Sequence, residues 1–93
     1  MFVMNRFELP ENWDWSSIRV DLAIRIREVR FELYGEHGGP LLASDLQLPF
    51  QRWSDYEGGG PIPGEVLLRF LALTRVEPHW LLTGEGPKYC VSV

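Results

Sequence analysis

The run GGGPIPG, residues 58–64, limits what this chain can build more than any other stretch. Glycine loses the most backbone freedom on ordering, and proline lacks the N–H that a helix or a ladder needs. The run therefore supports neither helix nor strand and must be a loop. Lesser breaks recur along the chain: Gly35, the pair Gly38–Gly39 before Pro40, Pro49, Pro78 and Gly84. They divide the remainder into short segments joined by tight turns. At 93 residues the chain fits one core, and an apolar share of 45% with four Trp can fill it, which excludes a disordered chain.

Between these breaks apolar residues recur at helical spacing. Residues 17–34 form the longest periodic segment, with Ser16 or Ser17 suited to cap it and Gly35 to end it. Pro40 suits the first turn of a second helix running to about Leu46. The turn QLP leads into a third helix over about 50–57, and a fourth over about 64–74 carries Val66, Leu67, Phe70 and Leu71. Pro78 opens a short fifth helix, PHWLLT, which Gly84 closes. Ahead of these, FVMNRFEL alternates as an extended segment does and breaks at Pro10, before Trp13 and Trp15; at the other end PKYCVSV is β-prone. The expectation is an all-α, five-helix domain over residues 17–87, with short extended segments at 1–16 and 88–93.

Two helices joined by a tight turn need a small residue where they cross and apolar residues on their inner faces. Ala43 can be the close contact, with Leu42 and Leu46 one turn apart; Leu48 would plug the turn, and Trp53 and Tyr56 would line the inside of the third helix. That order is a helix-turn-helix signature. Over residues 18–87 the chain resembles the phage-repressor/Cro-type helix-turn-helix family, also called the xenobiotic-response-element family. RIREVR (25–30) looks like its first helix, LLASDL its second, WSDYEGG the end of its recognition helix, and VLLRFLALTRVEPHWLLTGEG its fourth and fifth. The resemblance implies a lambda-repressor-like fold and a sequence-specific DNA-binding protein, a transcriptional regulator of the repressor type acting as a homodimer on double-stranded DNA. It places Phe50, Gln51 and Asp55 at base-reading positions, with Gly39, Arg52 and Ser54 in the same DNA-facing set. Gln51 can pair bidentately with adenine, Phe50 can pack on a thymine methyl, and Asp55 can accept from cytosine.

The departures from the family fall where DNA would be touched. Gly38 and Gly39 stand where the family has a Ser-Gln pair, Gln47 where its turn has glycine, and Pro49 where its recognition helix often starts with Ser or Thr. The net charge is −4, and Arg52 is the only Lys or Arg between Arg30 and Arg69. Phosphate neutralisation supplies most non-specific affinity. The alternative is therefore a protein–protein interaction module that keeps the scaffold and has lost DNA binding.

At 100° per residue the first helix carries four stripes. Ile18, Leu22, Ile26, Val29 and Leu33 form the expected core face, and Val20, Ile24 and Phe31 a second apolar face nearly opposite. Arg19, Arg27 and Arg30 line one side between them, as possible phosphate contacts, and Asp21, Glu28 and Glu32 the other. A surface helix normally has one apolar stripe. The second stripe is expected to be covered, by the domain's own ends or by a second copy with Val20, Ile24 and Phe31 at the dimer interface; patterning alone does not choose.

No enzyme site, cofactor site or metal site is expected. His37 and His79 have no Cys or His at ligand spacing, and the glycine clusters match neither a P-loop nor a dinucleotide fingerprint. Cys90 is a lone thiol, which fits a reducing compartment. No apolar run approaches the roughly 18 residues of a membrane span, and the N-terminus lacks a secretory pattern. A cytoplasmic protein is the expectation.

Overall fold

The computed structural model describes residues 14–90. It contains five helices: α1 (Trp15–Tyr34), α2 (Gly39–Asp45), α3 (Phe50–Glu57), α4 (Gly64–Thr74) and α5 (Pro78–Thr83). No strand occurs among the described residues, so the all-α, five-helix expectation holds. The extended segment FVMNRFEL, Trp13 and the last residues of the tail lie outside the described residues.

The start of α1 differs from the expectation. The cap is Asp14 rather than Ser16 or Ser17: its carboxylate accepts from the Ser16 N–H at 3.0 Å and from the Ser17 hydroxyl at 3.1 Å. A carboxylate also complements the positive end of the helix dipole, which neutral serine does less well. Trp15 and Ser16, assigned from the sequence to the extended N-terminal segment, are therefore helical.

α1 is the spine against which α2, α3 and α5 pack. It buries Ala23, Ile26 and Val29, with Leu22 packed against them. The expected core face is corrected at its C-terminal end, where Leu33 is exposed. α2 lies instead on the side of Tyr34, whose hydroxyl donates to Asp45 Oδ2 at 2.5 Å. Burial, reinforced by that carboxylate, pushes the Tyr34 hydroxyl up to about 12. Below α1 the core is aromatic: the Trp53 indole stacks on Phe70 at 5.5 Å and meets Tyr56 edge-on at 6.2 Å.

Arginines satisfy carbonyls at three helix C-termini, where a cation also meets the negative end of the dipole. Arg25 donates to Leu81 O and Leu82 O, both at 3.2 Å, at the end of α5. Arg69 donates to Leu46 O at 3.1 Å, at the end of α2. Arg30 donates to Gly35 O at 3.0 Å and Glu36 O at 2.7 Å, just past α1.

The β-prone tail forms a single antiparallel bridge, Val76 with Tyr89. The Glu77 N–H donates to Lys88 O and the Cys90 N–H to Arg75 O, both at 2.8 Å. Side chains fasten this segment to α1. Lys88 pairs with Glu28 and Glu32 while lying over the Trp80 ring, and the Tyr89 hydroxyl donates to Glu32 at 2.7 Å. Lys88, and then Tyr89, hold the Glu32 carboxyl below its ordinary value.

Between α2 and α3, Gln47 has a φ of 61°, and the Leu48 N–H donates back to Ala43 O at 2.9 Å. The turn thus holds a non-glycine residue in the left-handed region. A left-handed non-glycine residue costs about 1–2 kcal/mol, against roughly 0.5–1 kcal/mol of added chain entropy for glycine. Gln47→Gly is expected to stabilise the fold by up to about 1 kcal/mol, a rise of roughly 4–8 °C in Tm for a domain of this size. Thermal unfolding reads this, and an unchanged or lowered Tm contradicts it.

Candidate nucleic-acid interface

α3 has one buried side and one open side. Trp53 and Tyr56 are buried, while Phe50, Gln51, Arg52, Ser54 and Asp55 are all exposed. These five are the α3 residues expected from the sequence to face DNA. What holds the face in place is at the far end of the helix. The Glu57 carboxylate accepts from Arg30 Nε at 3.0 Å, from Arg30 Nη2 at 2.8 Å and from the Trp53 indole N–H at 2.5 Å. The Arg30 and Glu57 side chains are only 13% and 11% exposed, so the pair ties α3 to α1 out of bulk water. The carboxylate raises the Arg30 pKa, and the guanidinium stays charged.

Arg30 therefore leaves the set of possible phosphate contacts. Its Nη1 serves the carbonyls after α1, its Nε and Nη2 serve Glu57, and little of it faces solvent. The stripe of three arginines divides: Arg27 is exposed, 3.8 Å from Glu57, and Arg19 is exposed near the start of α1. Charge near α3 is thinner than the sequence suggests. Arg25, Arg69 and Lys88 are likewise engaged within the fold, which leaves Arg19, Arg27, Arg52 and Arg75 as the outward cations among the described residues.

Gly39 is the second correction. It is buried rather than presented, because the Phe50 ring lies against it. A Cβ at Gly39 would stand 2.7 Å from Phe50 Cε1, and one at Gly38 would stand 2.1 Å from Tyr34 O. The two glycines are thus a packing device. They let α2 begin directly against the end of α1 and let Phe50 fold back over the start of α2. The sequence shows the missing Ser-Gln pair but not its compensation, since the ring that fills the space is eleven residues further on. Gly39 and Phe50, with His37, Pro40, Ser54 and Glu57, line a pocket of about 430 Å³ between α2 and α3. Phe50 remains 48% exposed, so half of the ring is still offered outward.

Among the described residues no three His, Cys, Asp or Glu side chains gather where they could hold a metal ion. Among the described residues no helix is long and apolar enough to cross a membrane. No protein-family model matches the chain, and no curated protein or solved structure matches it.

The Gly39–Phe50 contact yields a coupled prediction. Ala favours a helix over Gly by about 1 kcal/mol, yet in the wild-type background Gly39→Ala must displace the Phe50 ring. Gly39→Ala is expected to be neutral or destabilising alone and stabilising when combined with Phe50→Ala. Denaturant unfolding of the four proteins measures the difference, and equal effects in both backgrounds would mean that the ring does not rest on Gly39.

Proposed function

We propose that the chain is a sequence-specific DNA-binding protein, a regulator of transcription of the repressor type, with α3 entering the major groove. The observation that carries this is the open face of α3. Gln51, Arg52, Ser54 and Asp55 stand exposed on a helix whose other side is fixed by Trp53, Tyr56 and Glu57. A groove reader needs that combination, because the backbone must be rigid while several polar side chains reach base edges. The start of α3 adds to it. Pro49 supplies no side-chain cap, so the first N–H groups of the helix are left for a phosphate oxygen. Two copies on half-sites about one helical turn apart complete the reading.

The scarcity of cations gives it a quantitative signature. With Arg19, Arg27 and Arg52 as the charged contacts in this reading, each subunit neutralises roughly three phosphates, and log K falls with log salt with a slope of about −3 per subunit. A repressor with 6–10 contacts shows a much steeper slope.

A protein-interaction module is the second reading, and one observation favours it. Leu41 on α2 and Phe50 on α3 are exposed large apolar side chains on a surface whose cations are few. Salt-titrated binding to random duplex pools separates the two. DNA binding predicts a selected site, the shallow slope, relaxed preference at one position for Gln51→Ala at a cost of about 1–3 kcal/mol, and higher general affinity for Asp55→Asn. No duplex binding even at low salt contradicts it and leaves the protein module.

A further inference from the structure

Val20, Ile24 and Phe31, the second apolar face of α1, are all exposed among the described residues. A sharper feature lies in the turn between α1 and α2. Its backbone is pinned on both sides of His37. Arg30 donates to Gly35 O at 3.0 Å and Glu36 O at 2.7 Å, and the Gly38 N–H donates to Gly35 O at 3.2 Å. Gly38 and Gly39 are buried, one against Tyr34 and the other beneath Phe50. His37 beside them is exposed, and its imidazole has no partner among the described residues. On a backbone already fixed, only the side chain loses freedom when it binds, which keeps the cost of ordering small.

The surroundings of His37 decide what it can bind. It lines the pocket of about 430 Å³ together with Pro40, Phe50 and Ser54, and so stands beside the exposed face of α3. The Ser54 hydroxyl is likewise without a partner among the described residues. Three charged groups share the lining: Arg30 from α1, Glu57 from α3 and Glu36 from the turn itself. α2 contributes only Gly39 and Pro40, and Tyr34, beside Gly38, gives its hydroxyl to Asp45. Arg30 and Glu57 offset each other as an ion pair, which leaves the Glu36 carboxylate as one excess negative charge. With the imidazole neutral, that charge repels an anion. The imidazolium offsets it and adds a charge-assisted N–H donor to the pocket that holds the Ser54 hydroxyl, a pair of donors suited to phosphate oxygens. Histidine is the side chain whose ordinary charge change falls between about pH 5 and 8.

We infer that His37 is a phosphate contact of the DNA-facing surface, made by its protonated form, so that the grip on the duplex backbone tightens as pH falls. The inference rests on the DNA-binding reading of α3 and adds one pH-dependent contact to those of Arg19, Arg27 and Arg52. The test is the salt dependence of duplex binding by the whole chain, at about pH 8 and about pH 5.5, on either side of the histidine range. Each neutralised phosphate contributes about −0.9 to the slope of log K against log salt. The wild-type slope should therefore steepen by about one on going to the lower pH. His37→Gln should keep the shallower slope at both pH values, and His37→Arg, whose charge is fixed, the steeper slope at both. Each substitution falls on an exposed side chain, so the helical signal should not change. His79→Gln, at the other histidine, should behave as wild type. A wild-type slope that ignores pH, or one that steepens equally in His37→Gln, would overturn the inference and leave the DNA reading standing. No duplex binding at either pH would overturn both.

Discussion

The ion pair between Arg30 and Glu57 is the constraint from which the rest of the geometry follows. Two charges removed from bulk water are costly, and such a pair is sustained only where its remaining donors and acceptors are also satisfied. Here they are. Arg30 uses its Nε and Nη2 on the carboxylate and its Nη1 on two carbonyls beyond α1, while Glu57 also accepts from the Trp53 indole. No buried side-chain polar atom is left without a partner among the described residues. One contact set thus ends α1, orients α3 and holds the Trp53 ring where Phe70 of α4 stacks on it. The open face of α3 lies on the other side of the same helix, so its direction is fixed by the same bonds.

Function is shaped by what this arrangement consumes. Arg25, Arg30 and Arg69 are engaged at helix ends and Lys88 at the tail, each for a local reason: free carbonyls and a negative dipole end, or two carboxylates of α1. The result is a five-helix scaffold with a sparse positive surface among the described residues. Gly38 and Gly39 belong to the same pattern. They give up side chains that could reach outward, and in exchange α2 starts hard against α1 and under Phe50. A partner of this face would be held more by shape and hydrogen bonding than by charge.

Much of the fold was legible because its signals are local. Pro40, Pro78 and Gly84 mark the start or end of α2 and α5 where the structure has them, and the 58–64 loop separates α3 from α4 as glycine and proline dictate. Apart from the cap of α1, where Asp14 outcompetes two serines close by, the errors fall where a distant residue decides. Leu33 fits the periodicity of a core residue but is displaced outward because α2 packs on the Tyr34 side. Arg30 reads as one of an exposed basic row until Glu57, on another helix, is brought beside it. Gly39 reads as a lost contact until Phe50 is seen above it. Helix ends are written in neighbouring residues, whereas the site depends on pairs far apart in the chain, which a single sequence does not connect.

The central claim is that the Arg30–Glu57 pair holds α3 on α1, and a double-mutant cycle in urea with Arg30→Ala, Glu57→Ala and the double variant tests it directly. Either single substitution should cost about 3–5 kcal/mol, because it leaves a buried charge uncompensated. The double variant should cost well under the sum, with a coupling of roughly 1–3 kcal/mol. Additive losses, with no coupling between the two positions, would contradict the account.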